Sequence, residues 1–419
     1  MITGRMATAA AGLTAVALAL TGCAAGAEGG ETGEKVTVTM LVNITPNLTE
    51  AFWNDLVAPF EEANPDIDVK IQAPAAEGVA KTLPQLLASG EVPDIVETVP
   101  PTEELAPELV DLSQYDWAKN GPLADQYSLD GKYYMAGIGY QLQSIYFYNK
   151  QAFSEAGIEA PPTTVDELEA DLQKLQDAGW TPIQSGGEWI TQIPVQTTGL
   201  PSIIAENADW FAEMSDGDVT FSETYSDAME RYASWVAAGY IPADSVGVKY
   251  ADAEQQFLSG KSAIYPMGSW FAASEAKAAE KPEIGVFRAP AEKGIDNPAM
   301  GANVANPYVI MMASEHQDAA AKVVEFLVTD EEAVTKQLAA DGNFRDGYEY
   351  EMDALGQELL AIVADTPESD FTPTGDGYGE RVLPRGYQTE LNVQAQAMLT
   401  GVSAADAIAA MDAWIESNR

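Results

Sequence analysis

The 419-residue chain has one cysteine, Cys23, and one histidine, His316. A single cysteine excludes an internal disulfide and any zinc site built from clustered thiolates. A single histidine leaves no multi-histidine metal centre and makes Ser-His chemistry depend on one residue. Cations are scarce too: 21 Lys and Arg stand against 65 Asp and Glu, a formal charge of −44. A polyanion of this size repels phosphate backbones and anionic lipid surfaces, which argues against a duplex-binding role. Long apolar runs are missing outside the N-terminus, and there is no internal repeat, coiled coil or basic run. What is present is a globular composition, 46% hydrophobic and 21% charged. The length suits two or three domains, or one two-lobed body with a large core.

Arg5 precedes an uncharged stretch whose apolar part, Ala7 to Leu20, is short and alanine-rich for a membrane span but suits the h-region of a secretory signal. It ends in Leu20-Thr21-Gly22-Cys23, which resembles a bacterial lipobox, where the cysteine is lipidated after cleavage. Loss of Arg5 with the leader would take the charge to −45. Ala24 to Glu34 is rich in Gly, Ala and Glu without periodicity and is expected to be a flexible tether. An acidic body on a lipid tether belongs outside the cytoplasmic membrane.

In the body, Val36, Val38, Met40 and Val42 alternate as in a strand, and Asn47 with Glu50 forms a candidate helix cap. The following helix would present Trp53, Leu56, Val57 and Phe60 on one face and stop near Asn64-Pro65. Ile67 to Ile71 alternates again, a second helix runs to Ser89-Gly90, and Asp94 to Glu97 suggests a third strand. This order predicts a parallel sheet with right-handed crossovers. Gly131 to Asn149 is extended and Tyr-rich. Thr164 and Glu167 form a capping box for a helix through Asp177, and Ser222 to Gly239 is helical. Strand-like segments return at Ser262–Tyr265, Ile284–Phe287 and Tyr308–Met312, before a helical end. Sheet before and after a helical middle suggests two lobes built from discontinuous pieces.

Five segments in register carry a family resemblance. Leu87 to Val96 resembles "sGxxPDvv"; Asp130 to Tyr134, with Tyr148 to Phe153 and Ala156 to Ile158, resembles "dGkxYg…YNKdlFxxaG". Pro161 to Leu168 resembles "PPkTwdEl", and Phe257 to Ile264 with Gly268-Ser269-Trp270 resembles "FxxGkaAmxxxGxW". With the lipobox in front, the chain resembles the family 1 extracellular solute-binding proteins, the sugar-binding lipoproteins of bacterial carbohydrate ABC importers. Ala136, where a proline often stands, and Phe344-Arg345-Asp346, without the usual proline, depart from the pattern.

The resemblance implies an α/β fold of the type II periplasmic-binding-protein-like kind, with two discontinuous lobes joined by hinge crossovers and closing over a sugar. The expected limits are a signal peptide over 1–22, a lipidated tether over 23–34, one lobe from 35–143 and 286–329, and another from 144–285 and 330–419. It further implies an oligosaccharide ligand, permease subunits as partners, a monomer, no cofactor, no metal, and membrane contact only through a lipid on Cys23.

Sugars present flat apolar faces and many hydroxyls, so recognition needs aromatic platforms beside planar polar groups. Trp270 matches the family's cleft tryptophan. Trp189, in Gly186-Gly187-Glu188-Trp189, reads equally as platform or interior. The rule that ligands sit beyond the carboxyl ends of parallel strands puts Asn43 to Asn47 and Glu97 at the cleft rim. Gln141 and Gln143 lie in the crossover segment, Asn303 in the return segment, and Asp376, Tyr378 and Arg385 in the Gly/Pro-rich loop from Thr372 to Gly386. These, with Asn43 and Asn47, are the candidate ligand residues, although the loop reads equally as a plain surface segment.

Other motifs fail. Gly260-Lys261-Ser262 lacks the first glycine of a P-loop, since Gln255 stands there. Two further functions stay open at this level. A glycoside hydrolase needs only two suitably spaced carboxylates, which 65 acids can always supply. A receptor for a cationic or peptide ligand would suit the charge.

Overall fold

The computed structural model describes residues 35–45, 47–75, 78–295 and 298–419. Cys23, the leader and the tether lie outside the described residues. In chain order the strands are β1 Val36–Leu41, β2 Ile67–Gln72, β3 Ile95–Glu97, β4 Met135–Ala136, β5 Gly139–Leu142, β6 Ile145–Asn149, β7 Thr181–Ile183, β8 Ser262–Pro266, β9 Ile284–Arg288, β10 Met300–Ala305, β11 Tyr308–Ile310 and β12 Phe371–Thr372. A short hairpin, β13 Gly377–Tyr378 with β14 Arg381–Val382, follows.

The first sheet has the order β2-β1-β3-β11-β4. Its β1 runs parallel to both β2 and β3, as the alternating apolar residues and intervening helices require, and β11 returns antiparallel from far down the chain. The helix Glu50–Ala63 buries Trp53, Leu56, Val57 and Phe60 on this sheet. Its N-cap is Thr49, not Asn47: Thr49 is the extended residue directly ahead of the first turn, and its hydroxyl accepts from the Phe52 N–H at 3.2 Å. Helices Gln317–Thr329 and Glu331–Ala340 add Val324, Leu327, Val334 and Leu338 to the same core.

The second sheet has the order β7-β8-β6-β9. Helices Val165–Asp177 and Phe221–Ala238 pack around it with Leu168, Leu172, Tyr225, Met229 and Trp235 buried. The Thr164–Glu167 capping box opens the first of these helices, and Gly239 closes the second at φ +78°, a left-handed cap that a side chain rarely adopts. The expected limit at 286 falls inside β9, and the one at 330 falls between two helices of one core. β9 pairs with β6 from Ile284 to Arg288, and Asp330 is the N-cap of a helix belonging to the first core.

A third sheet, β12-β10-β5, joins the two parts. β5 and β10 are antiparallel, with Gln141 opposite Asn303 and Leu142 opposite Ala302, and Tyr140 forms a bridge to Phe344. Because residues directly opposed in register project to one face, this sheet has two unlike sides. Leu142, Ala302 and Val304 are buried in one apolar cluster with Leu355, Leu359 and Val363 of helix Ala354–Ala364. Gln141 and Asn303 project from the other face and stay partly exposed. Among the described residues no helix is long and apolar enough to cross a membrane.

Candidate functional site

The polar face of the crossover sheet forms a floor of amides. The Thr374 hydroxyl lies 2.9 Å from Gln143 Oε1 and 3.2 Å from Asn303 Oδ1, which ties Gln143 to the same face as Asn303. Gln141 makes no side-chain hydrogen bond to another described residue, and the amide nitrogens of Gln143 and Asn303 carry no protein acceptor among those residues. The floor therefore offers both donors and acceptors without charge.

An aromatic wall is pinned to the end of that floor. Ser269 binds the Leu142 backbone twice, through its own N–H at 2.9 Å and by accepting the Leu142 N–H on Oγ at 3.2 Å. Trp270 follows directly, its ring folded over Gly268, where any Cβ would collide with it. Trp189 packs against Trp270 at 5.9 Å between centroids and 46°, and remains 43% exposed. Gly187 lets its loop lie flat on the Val246 carbonyl, a contact no side chain would permit. Tyr250 packs on Trp189 at 5.1 Å and 52°, with its hydroxyl hydrogen-bonded to Trp270 as well. Sequence reasoning singled out both tryptophans but missed Tyr250, since nothing in the local pattern around Val248-Lys249-Tyr250 marks it.

The strand ends supply acids. Glu97, at the end of β3, is 2% exposed and accepts from the Asn43 N–H at 3.0 Å and from the Thr98 hydroxyl. Burial pushes its carboxyl up to about 7, against the pull of those two hydrogen bonds. Thr98 takes φ +66°, a left-handed conformation unusual for a β-branched residue and a sign of local strain. Asn47 spans the two parts of the molecule: its Oδ1 accepts from Lys277 Nζ at 2.6 Å and its Nδ2 donates to Asp341 Oδ1 at 3.1 Å. Burial raises Asp341 to about 6, opposed by Asn47 and by the Lys277 charge. The Asp341 charge is near enough to raise both Glu97 and Tyr250. Asp341, Lys277 and Thr374 are further residues that the sequence did not indicate.

Several expected ligand residues hold the fold instead. Asn43 Oδ1 accepts the Val79 N–H at 3.0 Å and so serves the start of helix Val79–Ser89, whose N-cap Gly78 has no side chain to do it. Asp376 accepts the Gly386 and Gln388 N–H groups, each at 2.7 Å, at the start of helix Tyr387–Leu399, another helix capped by glycine. Tyr378 is 1% exposed, stacked on Tyr127 at 3.7 Å and 14°, with its hydroxyl donating to the Ala302 carbonyl at 3.0 Å. Arg385 forms an exposed ion pair with Glu104, joining the loop after β3 to the loop before helix Tyr387–Leu399. The structure thus puts Gln141, Gln143 and Asn303 on the crossover sheet with Trp270 and Trp189 at its end, leaves Asn47 and Glu97 at the strand ends of the first sheet, and puts Asn43, Asp376 and Tyr378 to structural use.

Two surface cavities, of about 380 and 420 Å³, lie elsewhere, beside Gln126 and Arg381 and beside Tyr148 and Phe153. Neither contains the aromatic wall. Among the described residues no group of three or more His, Cys, Asp or Glu side chains is placed to hold a metal ion.

Two α/β sheets joined by crossover strands, with an amide floor and an aromatic wall at the junction, define a two-lobed solute-binding fold. Residues 45–334 match the family model for bacterial extracellular solute-binding proteins, and the chain belongs to that family. It is 24% identical over 299 residues to an uncharacterized ABC transporter extracellular-binding protein of Pyrococcus horikoshii, covering 67% of this chain and 65% of that one, just under two thirds of the relative's length. It is 25% identical over 324 residues to the diacetylchitobiose binding protein DasA of Streptomyces coelicolor, covering 73% of this chain and 72% of that one. A solved chitin oligosaccharide binding protein superposes with a TM-score of 0.77 at 21% identity, over 92% of this chain and 99% of that one.

Proposed function

We propose that this protein captures an oligosaccharide between two closing lobes and delivers it to the permease subunits of an ABC importer. The observation that carries the reading is the junction of the packed Trp189–Trp270 pair, Trp189 exposed and Trp270 half-buried, with the uncharged amides of Gln141, Gln143 and Asn303. An aromatic face takes the apolar side of a sugar ring, and amides exchange hydrogen bonds with its hydroxyls. The sugar specificities in the names of DasA and the chitin oligosaccharide binding protein point the same way.

In this reading the lobes comprise 35–142 with 303–340 and 145–288 with 345–419, hinged at the crossover sheet. Trp189, Trp270, Gln141, Gln143, Asn303 and Asn47 contact ligand, Glu97 supports the rim from its buried position, and Arg385 acts at the mouth. Neutral sugars are preferred to acidic ones: Arg385 is already committed to Glu104 and Arg381 to Gln126, and the body carries a large negative charge. Cys23 carries a lipid that anchors a monomeric receptor to the outer side of the membrane.

Thermal-shift screening against neutral, amino and acidic oligosaccharides, with chromatography of the sugars afterwards, tests this. Stabilisation by a neutral oligosaccharide recovered intact supports it. Hydrolysis products would favour a glycoside hydrolase, and a response to cationic ligands alone would favour the cationic or peptide receptor.

A further inference from the structure

The Asn47 side chain is held at both ends by segments that fold with different cores. Asn47 itself belongs to the first sheet. Its loop leaves β1, the Thr45 hydroxyl accepts the Asn47 and Leu48 N–H groups at 3.3 and 2.9 Å, and Leu48 is buried in the first core. Lys277, which donates to Asn47 Oδ1 at 2.6 Å, ends the helix Phe271–Lys277. Phe271 of that helix packs on Phe147 of β6 and Tyr265 of β8, at 4.7 and 5.4 Å between centroids, and so ties it to the second sheet. Asp341, which accepts from Asn47 Nδ2, lies on the segment that leaves helix Glu331–Ala340 of the first core and runs to Phe344, bridged to Tyr140 of the crossover sheet. The neighbouring Gly342, at φ +58°, lies so close to the Lys277 helix that a Cβ would stand 2.9 Å from the Ser269 carbonyl oxygen.

Chemistry fixes which end of the amide meets which partner. An ammonium only donates and an ionised carboxylate only accepts, so Lys277 takes the oxygen of Asn47 and Asp341 takes its nitrogen. Carboxylate, amide dipole and ammonium then follow one another with matched signs. One hydrogen and one lone pair of the amide remain for a ligand hydroxyl. Lys277 is exposed and Asp341 half-buried, so the tie is a modest one. Leu48 and Phe271 keep their own segments in place without it. A rotation of one lobe away from the other about the crossover sheet would break the Lys277–Asn47 bond and leave both cores intact.

We infer that Asn47, Lys277 and Asp341 form a latch between the lobes, which stabilises the closed arrangement through the protein's own contacts and so raises affinity for every sugar by one common factor. This rests on the reading of the protein as a sugar receptor that closes. Where the sugar-free protein is mostly open, apparent affinity is the affinity of the closed form multiplied by the fraction closed. A loss in the closure equilibrium then passes undiluted into binding. Direct contact of Lys277 with ligand would instead discriminate among sugars, and a merely structural brace would lower stability in the absence of sugar.

The test is calorimetry with diacetylchitobiose, raffinose, maltotriose and N-acetylglucosamine on the parent, Lys277→Met and Lys277→Arg, together with urea denaturation of the same proteins free of sugar. Lys277→Met should weaken every sugar that the parent binds by the same factor, roughly fivefold, and leave the sugar-free urea midpoint where it is. Lys277→Arg, which keeps a cationic donor, should stay within about twofold of the parent. In an Asp341→Leu background the amide has lost the acceptor that orients it, so Lys277→Met should cost no more than about twofold further. Unchanged affinity in Lys277→Met, losses that differ from sugar to sugar, or a lowered sugar-free midpoint would overturn the latch while leaving the sugar site intact. Failure of the parent to bind any sugar of the panel would overturn both.

Discussion

Glu97→Gln offers a test of the site's electrostatics that needs no ligand. The carboxyl is nearly inaccessible and sits about 2.5 pH units above its ordinary value, 4.5 raised to about 7. A raised carboxylate pKa means that the folded chain holds its proton more tightly than the unfolded one. The group therefore contributes most to stability below pH 4.5, and the contribution is lost as pH rises through 7. At 1.36 kcal/mol per unit the full span approaches about 3 kcal/mol, of which roughly 2 kcal/mol falls between pH 5 and pH 8. A glutamine keeps an oxygen to accept the Asn43 N–H and never ionises. Urea denaturation of parent and variant at pH 5, 6, 7 and 8 should show the variant gaining on the parent as pH rises, by about 2 kcal/mol over that range. Other carboxylates titrate in both proteins and cancel in the difference. A stability difference that is flat with pH, or that turns against the variant above pH 7, would refute the reasoning.

Trp270→Ala should weaken sugar binding by about 1.5–3 kcal/mol in calorimetry, whereas Trp53→Ala should leave affinity alone and lower stability by about 3–5 kcal/mol. Asp376→Ala removes both acceptors at the start of helix Tyr387–Leu399 and should cost about 1–2 kcal/mol of stability in denaturant titration, with sugar affinity unchanged. Gly187→Ala forces its loop off the Val246 carbonyl and should displace Trp189, seen as a shift in tryptophan emission together with weaker sugar binding.

Much of the frame was legible because its determinants are local. The alternation in β1 and β2, the capping box at Thr164 and Glu167, and the left-handed glycine after Ala238 each act within a few residues. Gln141 and Asn303 were singled out by their place in the crossover and return segments, and the structure sets them opposite each other on one face. What stayed hidden depends on distant chain. Loop composition places Asp376 and Tyr378 in an irregular segment, but Tyr378 turns inward because Tyr127 and the Ala302 carbonyl wait for it. Asn43 sits where a strand-end ligand residue should, yet Gly78 leaves a helix start that only a neighbour can serve. Asp341 and Lys277 become partners only through Asn47, on another part of the chain. Tyr250 follows a loop, Val246 to Val248, against which Gly186 and Gly187 lie flat, and nothing local marks it.

Capture between lobes predicts a change of shape on binding, because ligand contacts shared by both lobes stabilise the closed arrangement over the open one. Small-angle scattering of the protein alone and saturated with the neutral oligosaccharide that stabilises it should show a smaller radius of gyration with sugar, and Trp270→Ala should need more sugar to reach it. An identical radius at saturation would contradict closure of two lobes on a ligand held at the crossover sheet.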